Sequence, residues 1–172
     1  YDKDWWYENH PGCNCTNSGN RATDNIPGSG DERTVRTTYN PLVQFQFVYY
    51  QAMVSRLFPG EYGETCKELA MKAWDYGTAN FRDDRTLFVA ARLMAAVELC
   101  RLDARMVGEP ELTEYIQAVL ARQNRDKEGI SGYFEEKDGT DGFRSIIYST
   151  YPAMALMNAR RISNNEKLRA VI

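Results

Sequence analysis

Apolar residues along residues 41–172 follow two patterns that alternate. From Pro41 to Phe58, Leu42, Val43, Phe45, Phe47, Val48, Tyr49, Tyr50, Met53, Val54 and Leu57 cover nearly the whole circumference of a helix. A helix apolar all round is buried on most sides. Asn40 supplies its N-cap, Pro41 fits the first helical position, and Pro59-Gly60 ends it. From Glu61 to Thr78 the apolar residues Tyr62, Cys66, Leu69, Ala70, Ala73, Trp74 and Gly77 form one stripe at spacings of three and four, while Glu64, Lys67, Glu68, Lys72 and Asp75 lie off it. The pattern then repeats. Residues 84–103 are apolar nearly all round, 111–123 carry a single stripe, and 145–160 are again mostly apolar, with Pro152 marking a kink or a later start. A sixth helical run opens at Asn165 and breaks off at Ile172.

Buried and amphipathic helices in alternation are the signature of two layers. Inner helices touch neighbours on every side; outer helices touch only inward. The expected fold is all-α: stacked antiparallel helical hairpins in two layers, part of an (α/α)6 toroid. Inner helices start roughly 43 and then roughly 60 residues apart, which disfavours regular solenoids of fixed period. Residues 1–40 form an irregular N-terminal segment, and residues 41–172 form three hairpins of a chain expected to continue on both sides. In an up-down arrangement all inner helices point one way. The long connections, residues 1–40 and 124–143, then lie over the inner-helix N-termini, and long connections in compact domains tend to carry function.

Composition narrows the partners. Net charge is −3, and the Lys and Arg residues are scattered, so no nucleic-acid surface is expected. No apolar run approaches the roughly 20 residues of a membrane span. The four cysteines and the Asn14-Cys15-Thr16 acceptor triplet lean toward a secreted or extracytoplasmic protein. Cys13 and Cys15 sit too close to pair easily with each other, so a disulfide there needs a distant partner. Cys-x-x-Cys spacing is absent around His10, and neither metal nor cofactor is expected.

The run Phe81-Arg82-Asp83-Asp84-Arg85-Thr86-Leu87-Phe88-Val89-Ala90-Ala91-Arg92-Leu93, followed by Leu112-Thr113-Glu114-Tyr115-Ile116, resembles hairpins of the six-hairpin glycosidase superfamily. The nearest pattern is that of family-nine glycoside hydrolases, over about residues 60–125. The resemblance implies a segment of a carbohydrate-active enzyme acting on a polysaccharide. The family's Asp-Ala-Gly-Asp base motif and its later His-Arg and Asn-Glu motifs are absent here, so no catalytic residue is carried across by motif.

Candidate chemistry therefore comes from position. Asp83 and Asp84 open an inner helix, where a carboxylate is held ionised and suits a base or a hydroxyl ligand; the same position also suits plain helix capping. Glu8, Glu135, Glu136, Asp138 and Asp141 are further carboxylates at the loop end, with plain solvated charge the competing role for Glu135, Glu136 and Asp138. Trp5, Trp6, Tyr7 and Tyr133 offer faces for sugar rings, His10 offers a polar contact, and Tyr148 and Tyr151 open the fifth helix where they could line a cleft. Core packing is the competing role for these tyrosines, and Trp5 and Trp6 could equally pin the N-terminal segment. The alternative function is a non-catalytic helical toroid or repeat module used for binding or assembly.

Overall fold

The computed structural model describes residues 39–83, 85–123, 132–136, 146–163 and 166, with only the backbone of 146–149. The chain divides into two units, Tyr1–Tyr39 and Asn40–Ile172, and the fold set out here is that of the second. Among the described residues it is all-α: α1 (Pro41–Leu57), α2 (Glu61–Ala79), α3 (Thr86–Leu102), α4 (Glu109–Leu120) and α5 (Ile146–Ile162). The expected sixth helix falls outside the described residues, apart from Glu166.

Local chemistry sets most of the boundaries. The Asn40 carboxamide accepts the amides of Leu42 and Val43 at 3.0 and 3.4 Å, and Pro41 needs no acceptor. Gly60 turns the chain at φ 110, a conformation that favours glycine. Gly63 lies against the turn so closely that a Cβ would sit 2.2 Å from the Phe58 carbonyl oxygen. α4 starts at Glu109, earlier than Glu111, because Pro110 fits the first turn of a helix. α5 runs through Pro152, whose ring is fully buried, rather than starting after it.

The helices pack in layers. α3 lies against α1 on one side and α5 on the other, α2 covers α1, and α4 covers α3. Contacts fix their directions. Arg56 near the end of α1 meets Glu98 near the end of α3, and Asn158 of α5 meets Arg101 of α3. The inner helices α1, α3 and α5 therefore run parallel. Thirteen of the 17 residues of α3 are buried. The outer helices bury one stripe each: Gly63, Cys66, Ala70, Trp74 and Gly77 in α2, and Leu112, Tyr115, Ile116, Val119 and Leu120 in α4.

Small residues let the layers approach. A Cβ on Gly77 would meet the Gln44 Cγ at 2.9 Å and the Phe45 ring at 3.2 Å. Between the layers, Phe45 packs edge-on to both Trp74 and Phe81, and Trp74 packs edge-on to Tyr115. Arg92 of α3 enters this cluster with its guanidinium 4.2 Å from the Tyr115 ring and 5.0 Å from the Phe81 ring. It donates to the Tyr115 hydroxyl at 2.9 Å, and that hydroxyl donates to Glu111. A cation can be held here because ring faces and a relayed carboxylate replace its water.

One expectation needs correction. α1 is not buried on most sides. Leu93 and Val97 of α3 are buried, but Tyr50 is 54% exposed and Val54 is half-buried. The cause is position: among the described residues α3 has an inner helix on both flanks, whereas α1 packs mainly on α3 on its inner-row side.

The layered packing sets an order of mutational costs. Leu93→Ala should destabilise by about 2–5 kcal/mol, and Gly63→Ala by about 1–3 kcal/mol through overpacking against backbone. Leu69→Ala, at a position 40% exposed, should change stability by less than about 0.5 kcal/mol. Urea unfolding measures all three, and a Leu69→Ala loss equal to that of Leu93→Ala would contradict the layer assignment.

Candidate functional site

The N-terminal end of α3 gathers part of the chemistry expected there. Asp83 lies just before the helix. Its carboxylate accepts the Arg85 amide at 3.1 Å and the Arg85 guanidinium at 2.7–3.0 Å. Arg85 in turn lies over the Phe88 ring at 4.2 Å. No side chain caps α3, so its first amides need other acceptors. The Thr86 amide donates to the Glu136 carbonyl at 2.8 Å, and the Thr86 hydroxyl donates to the Glu135 carbonyl.

Residues 132–136 are thereby stitched between two helices. The Glu135 amide donates to the Arg122 carbonyl at 2.9 Å, Gln123 pairs with Phe134, and Phe134 is buried. Tyr133 in this segment is half-buried. The structure thus brings Asp83 and the segment carrying Tyr133, Glu135 and Glu136 to one end of α3. Trp5, Trp6, Tyr7, His10 and Asp84 lie outside the described residues, as does the side chain of Tyr148.

Tyr151 joins a different group. It is half-buried on α5, its hydroxyl bonded to the Gln46 side chain of α1, and it lies within electrostatic reach of Tyr49 and Tyr50. α1 and α5 therefore meet across α3. Further along the same seam, Glu98 is fully buried. Arg56 Nε donates to its Oε1 at 2.8 Å, Arg101 donates to its Oε2 at 2.9 Å, and Arg101 also donates to the Asn158 amide oxygen at 2.9 Å. The sequence signal for this cluster is Glu98 itself, the one acid in a mostly apolar helix, with Arg101 three residues on.

Two guanidiniums against one carboxylate look like an anion site, but the field says otherwise. Arg56 and Arg101 stand in the last turns of α1 and α3. Helix C-termini carry partial negative charge, of about half a unit each. Those ends and Glu98 together balance the two arginines, so the cluster acts as a clamp.

At the C-terminal end of α3 there is a cavity of about 280 Å³ between α4 and the end of α5, lined by Cys100, Val107, Leu112, Ile116 and Ile162 with Thr113 and Glu109. Polar and apolar groups share its lining about equally. Burial pushes the Cys100 thiol above its ordinary range, with the Glu111 charge adding to the shift, so this thiol is a poor nucleophile at neutral pH. Cys66 is a buried free thiol. Among the described residues no group of three His, Cys, Asp or Glu side chains could hold a metal ion.

Comparison with known proteins returned no match to a family model, to a curated protein or to a solved structure.

The seam and the interlayer cluster give a pH prediction. Burial raises Tyr49, Tyr115 and Tyr151, with Glu98, Glu111 and nearby tyrosines adding to the respective shifts. Burial raises Cys100 as well. A group raised in the folded state binds its proton more tightly there than in the unfolded chain. Its stabilising contribution is full below the unfolded pKa and is lost as pH rises through the folded value. Stability should begin to fall above about pH 8.5, where an unfolded cysteine ionises, and fall faster above about pH 10, where unfolded tyrosines follow. Urea midpoints between pH 7 and 11 read this out; a midpoint unchanged to pH 11 would contradict the burial of these hydroxyls.

Proposed function

We propose that this chain is part of a carbohydrate-active (α/α)6 toroid that acts on a polysaccharide at the N-terminal end of its parallel inner helices. One observation carries this reading: Thr86 fastens residues 132–136 to the first turn of α3, beside Asp83. An aromatic face and several carboxyl groups at one end of a helix layer are the groups that stack on a sugar ring and bond its hydroxyls. The N-terminal dipole of α3 favours carboxylates staying ionised. Asp83 is ion-paired with Arg85 and is in this reading an acceptor for a sugar hydroxyl. Proton transfer then falls to Glu135 or Glu136, with Asp84 as the other candidate base. Inverting hydrolysis needs two such groups about 6.5–9.5 Å apart with water between them. An extracytoplasmic setting suits this substrate.

The assembly module is the second reading. Its specific support is the large apolar side chains exposed on α1 and α2.

Soluble oligosaccharides and reducing-end release from polysaccharides test the first reading. Tyr133→Ala should weaken oligosaccharide binding by about 1 kcal/mol, and whichever of Glu135→Gln and Glu136→Gln removes the proton-transfer group should cut turnover by about a hundredfold or more. If both Glu variants and Tyr133→Ala match the parent in binding and turnover, or if the parent binds no sugar, this reading fails.

A further inference from the structure

The exposed apolar side chains are not scattered. Among the described residues, the large ones fall on α1, α2, the turn between them, and α5; α3 and α4 carry none. On α1 the stripe is Val43, Phe47, Tyr50 and Leu57, spaced by four, three and seven, and it contains no charge. Tyr62, Leu69 and Tyr76 repeat every seven residues along α2. On α5 the exposed pair is Met154 and Met157.

α1, which α2 covers, and α5 are the two ends of the described inner row. α3, in the middle, buries nearly its whole surface between α1 and α5. In stacked helical arrays a solvent-facing end is polar, whereas here α1 exposes a charge-free apolar stripe and α5 exposes two methionines beside its arginines. The charges beside the two ends differ in sign. Exposed on the α1–α2 hairpin are Glu61, Glu64, Glu68 and Asp75 against Arg56 and Lys72, so acid is in excess there. α5 exposes Arg160 and Arg161 in its last turn. Two α1–α2 ends would face each other with like charge, whereas an α1–α2 end against an α5 end pairs opposite charges.

We propose that two copies of this chain stack head to tail, the α5 end of one on the α1–α2 end of the next. This extends the inner row as α3 already joins α1 and α5, and it rests on the assembly reading, the second copy standing where the toroid reading would place further hairpins of the same protein. Such a contact is heterologous and leaves one free end of each kind, so association can continue beyond two copies.

Sedimentation velocity on the full chain tests this with two surface variants, Phe47→Asp and Met157→Asp, both checked by circular dichroism and thermal melting for an unchanged fold. The parent should associate with rising concentration, more weakly as salt screens the charges. Each variant alone should lose association by about tenfold or more, because each lacks one of the two complementary ends. An equimolar mixture should form a dimer and nothing larger, since one intact end of each kind remains. A monomeric parent would overturn the proposal. So would either variant associating alone as the parent does, which marks a like-with-like interface, or a mixture that stays monomeric.

Discussion

The inner layer depends on one buried carboxylate. Glu98 has no exposure, and an ionised carboxylate taken wholly out of water costs several kcal/mol unless it is paired and hydrogen-bonded. Here each oxygen has a guanidinium. Arg56 comes from α1 and Arg101 from α3 itself, and Arg101 passes a further hydrogen bond to Asn158 on α5. Sliding either flanking helix by a residue would break a bond in this chain. The apolar packing around it adds close-packed contacts without directional partners of this kind. Glu98 thus ties three helices together at one level through directional bonds.

The rest of the layer builds on that tie. Ala90, Ala91, Ala95 and Ala96 give α3 a thin surface that its neighbours can approach, and all four are buried. Gly77 does the same for α2 against Phe45. With α1 and α3 held parallel, the start of α3 lies at the end of the molecule where α2 finishes and the chain returns from α4. There the uncapped amide and hydroxyl of Thr86 meet the carbonyls of Glu136 and Glu135. A packing requirement at one end of the inner row is thereby linked to the placement of candidate chemistry at the other.

Much of this was legible in the residues. Asn40-Pro41 and Pro59-Gly60 mark α1 because capping and proline geometry are local, and spacings of three and four mark the buried stripes of α2 and α4. The parallel sense of the inner helices also followed from short turns alternating with longer links. Three things were not legible. Tyr50 has the same character as a core residue, and only the number of neighbours beside α1 makes it exposed. Thr86 begins α3 two residues after Asp84 because its amide finds an acceptor fifty residues downstream, which no local rule contains. Tyr151 lies across α3 from Gln46, a pairing set by how two helices converge over a third. The candidate carboxylates were chosen by their place in the topology, and of these Asp83 is found tied to Arg85, a partner two residues away.

A double-mutant cycle across Glu98 and Arg101, read by urea unfolding, tests the clamp most directly. If Glu98 ties the helices together, Glu98→Ala should cost about 3 kcal/mol, at the low end for a broken buried pair because both arginines reach water. The double variant Glu98→Ala/Arg101→Ala should lose less than the two single losses added together, by about 1 kcal/mol or more. Single losses below about 0.5 kcal/mol, or losses that simply add, would show that the inner layer holds without this carboxylate.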